Sequence, residues 1–334
     1  RELPFSFSAL PGRFGVSVAG LIFLIGGVAS AALAGAHHGG AGLAVLVATV
    51  VLLALAGYLA RTAIARLPWG RLRTANWLVT RPGARPRYLV CAHRDSKSQP
   101  IPLLVRAGGI GLGPIAALAL LLLCIVSFLG PDSWHLGLAA GLIGLLCAAS
   151  GLVLILSFVQ NDSPGALDNA SGVATLLGLA ERERENGDVG FLVTDGEELG
   201  LAGACAACHQ LPPVHGIINV DGVDDGGDFH IVERHGLRRR GLAPQLVAAL
   251  LMAADGLGVR AQRRAVPVGV MVDHIPLAQA GISAVTLMRG GRDSLLRVHR
   301  PEDDASRLSG EGIALAVALI SAALAVLRRP AGAA

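Results

Sequence analysis

Charge is scarce in this chain: only 16% of its 334 residues are Asp, Glu, Lys or Arg, against 53% hydrophobic residues. So thin a polar set excludes an ordinary water-soluble domain of this size and predicts a membrane-embedded part, with room beside it for one globular domain of about 200 residues. Aromatic residues amount to 4%, too few to supply a stacking platform for single-stranded nucleic acid. Cysteines number five, two of them (Cys124 and Cys147) inside apolar runs, which gives no disulfide framework and fits a reducing compartment. Cys205, Cys208 and His209 spell CAACH, the c-type haem attachment pattern, but its Ala-rich helical surroundings offer no recognisable axial partner and argue against haem. Acidic residues are nearly missing between positions 61 and 106, where Asp95 alone stands among Arg61, Arg66, Arg71, Arg73, Arg81, Arg85, Arg87, Arg94, Lys97 and Arg106. With a net charge of +4, that basic stretch suits a membrane face better than a nucleic-acid groove.

What the chain has in abundance is apolar sequence. Four runs, near 14–36, 41–60, 107–130 and 136–158, reach the length of about 20 residues that a bilayer crossing needs. The first contains ASAALAGA, with small residues at cleavage-like spacing, but its apolar part is long and a second run follows almost at once, so a helical hairpin is expected rather than a cleaved signal. The links around His37-His38 and around Asp132 carry no Lys or Arg, so the positive-inside rule puts the basic 61–106 segment in the cytoplasm and the short links outside. The expected organisation is an N-terminal transmembrane hairpin over 1–60, a second hairpin inserted at 107–158, and a cytoplasmic domain split between 61–106 and 159–334. From 159 onward the texture is that of a soluble α/β domain: strand-like GFLVTD (190–195), GIINVD (216–221) and ISAVTLM (282–288) alternate with helical stretches at 170–186, 199–210 and 243–256. The last apolar helix, near 310–327, is short and Ala-rich and is expected to bury one face on the sheet instead of forming a fifth span.

The chemistry-bearing residues sit at the ends of these strands. In FLVTDGEELGLAGA (191–204) an apolar run ends at Asp195, a glycine turns the chain, and Glu197 and Glu198 follow. Adjacent residues there point different ways, so one carboxylate can bind a metal while its neighbour faces the water that metal activates. In RYLVCAHRDS (87–96) a strand ends at His93, and Asp95, two residues on, can hold the imidazole in its metal-binding tautomer. Asp168 and Asn169 precede a small-residue helix, where an aspartate can bridge two cations or simply cap the helix. Asp221 closes a strand at the crevice where α/β sheets bind ligands, and His299 lies on a loop stiffened by Pro301. Two histidines, three carboxylates and a spare glutamate form a mixed N/O set suited to a two-metal hydrolase.

The ordered set AHRDS, LDNASG, GEELGLAG, NVDG, DHIPLAQAGISA and VHRPEDD resembles the co-catalytic di-zinc aminopeptidases, a family that also contains glutamate carboxypeptidases, glutaminyl cyclases and the transferrin receptor. The resemblance covers about 87–97 and 160–327. It implies a three-layer α/β/α sandwich with a mixed central sheet, to which this chain adds four transmembrane helices. It also implies two zinc ions, or other divalent metals: one held by His93 and Asp221, the other by Glu198 and His299, with Asp168 bridging both. Glu197 would be the general base, Asp95 would support His93, and Asp273 and His274 would border the substrate pocket. Arg94, Leu277 and Ser283 depart from residues common in the family and bear on the pocket wall. The expected protein is thus a multi-pass membrane exopeptidase, most simply an aminopeptidase, with peptide substrate and lipid bilayer as partners and no nucleic acid. Its metals would lie close to the bilayer surface, because short tethers join His93 to Arg106 and Phe158 to Asp168 and an extended chain covers at most about 3.3–3.6 Å per residue. The alternatives are a non-catalytic receptor or scaffold on the same domain, and a single-zinc acyltransferase resembling glutaminyl cyclase. A transporter fits least, since the spans contain almost no charge.

Overall fold

The computed structural model describes residues 1–130, 134–234, 243–266 and 270–329, so the link expected around Asp132 lies outside the described residues. The chain divides into two compact units, one of residues 8–70 with 99–160, the other of residues 1–7, 71–98 and 161–334.

The first unit is four long apolar helices: α1 (Leu10–Gly35), α2 (Gly39–Arg66), α3 (Leu103–Leu129) and α4 (Trp134–Ile155). Small residues let their backbones approach. A Cβ added at Gly20 would meet the backbone of Gly151 and Ile155, and one at Gly39 would meet the backbone of Cys124 and Phe128. Several hydroxyls inside the bundle donate to backbone, as in Ser30 Oγ to Gly42 O at 2.7 Å and Ser127 Oγ to Ala34 O at 2.7 Å. Outward, Ile25, Val50, Leu52, Leu118, Leu122, Leu142 and Leu145 are half exposed or more, or close to it, and such a surface suits lipid rather than water. Together with a later helix, five helices among the described residues are long and apolar enough to cross a membrane.

The second unit is built on an eight-stranded mixed sheet: β1 (Glu2–Ser8), β2 (Arg71–Val79), β3 (Tyr88–His93), β4 (Val189–Thr194), β5 (Gly216–Val223), β6 (Asp228–Arg234), β7 (Ala261–Ala265) and β8 (Ala284–Gly290), in the order β1-β2-β4-β3-β5-β8-β6-β7. The central run β4-β3-β5-β8 is parallel, and antiparallel pairings of β2 with β4 and of β8 with β6 flank it. Alternation along the strands fills both faces. Tyr88, Val90, Ala92, Ile218 and Val220 pack with α5 (Ser171–Arg182), α7 (Pro244–Gly256) and α10 (Glu311–Arg328). Leu89, Cys91 and Ile217 pack on the other side with Ala207 of α6 (Ala202–Ala207) and Leu277 of α8 (His274–Gln279). A further short helix, α9 (Arg292–Arg297), precedes the loop carrying His299. The layered α/β fold with a mixed sheet is therefore as expected.

Three details differ from the sequence reading. Residues 2–8, grouped there with the first hairpin, form the edge strand β1, whose Leu3 and Phe7 are buried. Helix α2 runs on to Arg66, six residues past the apolar run, because nothing before Pro68 breaks it. Strands β2, β6 and β7 widen a sheet of which the sequence showed only the central members. As expected, α10 buries Ala316, Leu319, Ile320, Ala323 and Leu324 against the sheet unit. All five cysteines are free.

Candidate metal centre

Parallel pairing brings the functional strand ends to one edge. Tyr88 to Cys91 of β3 pair with Gly216 to Asn219 of β5, so two residues on His93 and Asp221 stand level, and His93 pairs with Thr194 at the end of β4. Beyond Thr194 the chain turns at Gly196, whose φ of +73° favours glycine, and delivers Glu197 and Glu198 to the same edge. Asp168 lies in a kinked turn over Ala166–Ala170, where Asp168 and Asn169 leave helical φ/ψ. His299 arrives on the loop after α9 with φ +65°, a left-handed conformation unusual for histidine.

The two oxygens of Asp168 divide between the two imidazoles. Oδ1 is 3.2 Å from His93 Nε2 and Oδ2 is 3.0 Å from His299 Nε2. Asp221 Oδ1 lies 3.6 Å from His93 Nε2, and Glu198 Oε1 lies 3.5 Å from His299 Nε2. Among the described residues, two groups emerge whose donor atoms fall within 4.8 Å of one another: His93, Glu197 and Asp221, and Asp168, Glu198 and His299. All six side chains are buried or nearly so.

Several neighbours hold this set in place. Asp95 accepts hydrogen bonds from the backbone N–H groups of Glu197 (3.2 Å) and Glu198 (3.0 Å), fixing the glutamate pair. Its carboxylate is 3.6 Å from His93 Nδ1, whereas its backbone oxygen is at 3.0 Å, so the carbonyl is the nearer partner of the imidazole. Asn169 Nδ2 donates to Val220 O at 2.9 Å and its Oδ1 accepts from Gly172 and Gly222, tying the Asp168 turn to β5. Asp303 accepts from Leu167 N at 2.7 Å and Asp168 N at 3.1 Å, joining the His299 loop to the same turn. Lys97 Nζ bonds Glu198 Oε2. The sequence reading named Asn169 only beside Asp168 at the start of a helix, and gave Asp303 and Lys97 no role at the site.

The electrostatics are those of crowded carboxylates. Burial pushes the Glu197 carboxyl well above its ordinary value, and Glu198 and Asp221 add to this against the pull of His93 and Lys97. Burial works against a charged His93, yet Glu197, Asp168, Asp221 and Asp95 hold its pKa well above that of a free imidazole. Asp168 is likewise buried but is held well below the usual carboxylate range by His299 and His93. For Asp303, burial outweighs its two amide donors and raises its pKa.

Asp273 and His274 are a different matter. Both are wholly buried, at 0% exposure, and offer no surface to a substrate pocket. Thr194 Oγ1 donates to Asp273 Oδ2 at 2.5 Å, and His274 Nδ1 lies 2.8 Å from Thr286 Oγ1. Burial pushes the Asp273 carboxyl up to about 7. Arg94, expected at the pocket wall, stacks over Trp77 at 4.1 Å and pairs with Asp195.

The donor set fits divalent cations. Asp168 Oδ1 and Glu198 Oε1 are buried without a hydrogen-bond donor, each facing an imidazole nitrogen, and mixed His/carboxylate groups of this kind are zinc ligands.

A family model described as peptidase family M28 matches residues 145–324, more than half of the chain. The match begins after His93, Asp95 and Lys97, which the fold itself brings to the site. No curated protein sequence matches. Among solved structures, similarity extends to the LapA aminopeptidase of Legionella pneumophila, at 14% identity over 78% of this chain and 56% of that one, with a TM-score of 0.48. A leucine aminopeptidase precursor from Bacteroides thetaiotaomicron is 14% identical over 78% of each chain, with a TM-score of 0.49. A glutaminyl cyclase of the same organism, solved bound to N-acetylhistamine, is 14% identical over 78% of this chain and 79% of that one, with a TM-score of 0.50. The chain thus spans little more than half the length of LapA, and the likeness to these structures is one of fold.

Proposed function

The chain belongs to peptidase family M28 and is a metallopeptidase-like enzyme, and from that premise we propose a membrane-anchored di-zinc exopeptidase that removes residues from peptide N-termini. His93 and Asp221 would hold one ion, Glu198 and His299 the other, and Asp168 both. The observation that carries this reading is Asp168 itself, whose two carboxylate oxygens each face a different histidine at 3.2 and 3.0 Å. Zinc bound there would polarise the scissile carbonyl and make a water acidic enough to attack it. Glu197 takes the proton from the attacking water and delivers it to the leaving amine. Asp95 keeps Glu197 and Glu198 in register through their amides, and the Asp95 carbonyl orients the His93 ring.

Four of the apolar helices would cross the bilayer as two hairpins, with α10 packed on the sheet unit and the catalytic domain on the cytoplasmic side, as the basic 61–106 segment favours. A reporter fused to the C-terminus tests the side, and a periplasmic or extracellular signal would reverse it without touching the chemistry. Glu197→Gln tests the mechanism. Turnover of peptides with free N-termini should fall by about 10²–10⁴ while zinc content is retained, as expected of a lost general base. Undiminished turnover would remove Glu197 from that role. Cyclisation of N-terminal glutamine with no release of amino acids would favour the acyltransferase instead.

A further inference from the structure

Lys97 is the one lysine in a chain that otherwise carries 27 arginines among its 28 basic residues, and it sits within the candidate metal centre. Its side chain is 13% exposed, and its ammonium rests on Oε2 of Glu198, whose side chain is 2% exposed. Only Glu198 Oε1 is left facing His299. An arginine would bring a broad planar fork, whereas the ammonium is a compact point charge that one carboxylate oxygen can accommodate. We propose that Lys97 is a fixed cation that lowers the affinity of the Glu198–His299 position for its metal, leaving one tight and one exchangeable ion in the same centre.

The proposal rests on the di-metal reading and takes it a step further. Apart from the shared Asp168, the His93 position has two carboxylates close by, Asp221 and Glu197. Among the described residues neither is ion-paired with a lysine or arginine, and Lys97, which also draws on Glu197, makes its direct contact with Glu198. The His299 position has one, Glu198, and Lys97 cancels its formal charge. Holding Oε2 on the ammonium also limits Glu198 to one oxygen for a metal. A second observation points the same way. His93 Nδ1 is backed by the Asp95 carbonyl at 3.0 Å, which fixes the ring's tautomer and orientation, but His299 Nδ1 has no hydrogen-bond partner. Ligands without such backing bind metal about 10–100-fold more weakly.

The test is calorimetric titration of zinc into the full-length chain in detergent, after stripping with chelator. Wild type should show two phases. Lys97→Met removes the charge, and Lys97→Gln removes it while keeping a donor for Glu198 Oε2. In both, the weaker phase should tighten at least about tenfold, equivalent to about 1.4 kcal/mol, with the tighter phase shifted less than about threefold. A weaker phase that stays put or loosens in both variants overturns the proposal. Should the Lys97 variants not fold, the ranking is read without them: His299→Ala must abolish the weaker phase and spare the tighter one, and the reverse pattern overturns it. Wild type that takes up no zinc at all would instead sink the metal-centre reading, and this inference with it.

Discussion

Asp303 is hydrogen-bonded to neither histidine, yet it helps to hold the turn that carries Asp168. It is 1% exposed, and its two oxygens accept from Leu167 N and Asp168 N. Asp303→Asn keeps one of those acceptors and turns an amide NH₂ toward the other backbone N–H. One hydrogen bond to a charged group is lost, worth about 1.5–3 kcal/mol, and a buried N–H is left unsatisfied. If even the lower figure falls on holding Asp168 between its histidines, zinc binding weakens at least tenfold, since about 1.4 kcal/mol is a factor of ten in affinity. Twice that cost gives about a hundredfold. Zinc titration of the variant measures the loss, and thermal unfolding with chelator present measures the part that is plain destabilisation. Asp303→Asn binding zinc within twofold of wild type would refute the reasoning, because the Asp168 turn would then hold its shape without this carboxylate.

The remaining predictions concern the packing that supports the site. Leu319 of α10 is fully buried against the sheet unit, so Leu319→Ala should cost about 2–5 kcal/mol of that unit's stability in denaturant unfolding. A change below about 0.5 kcal/mol, the size expected of surface positions, would show that α10 is not docked there. Glu183, buried at the end of α5, accepts from Ser321, Arg328 and Asn186, and these bonds outweigh burial to lower its pKa. Its folded pKa lies below its unfolded one, so its contribution is full above about pH 4.5 and is lost as pH falls through the folded value. Glu183→Gln should therefore destabilise at pH 7 and converge with wild type in acid. A difference between the two that does not depend on pH would contradict the assignment.

The long apolar helices and the grouping of side chains at the strand ends were legible in the sequence because each is written locally. A bilayer crossing is a run of one composition, and His93, Glu197, Glu198 and Asp221 each end or follow a β-type run. Strand β1 was hidden by its setting. Leu3, Phe5 and Phe7 alternate as a strand should, but Pro4 argues against a strand interior and a long apolar run begins soon after. Pro4 is tolerated because β1 lies at the sheet's edge. Asp303 and Lys97 were not legible, since their partners stand 135 and 101 residues away along the chain. The pair Asp273-His274 looked like a pocket motif, and only burial beneath the strand ends distinguishes a buried polar network from a substrate wall.

The most direct test of the central claim is anomalous scattering at the zinc edge from crystals grown in excess zinc. Two peaks are expected, one between His93 and Asp221 and one between Glu198 and His299, each beside an oxygen of Asp168. No peak at this edge of the sheet, or zinc bound only elsewhere, would contradict it.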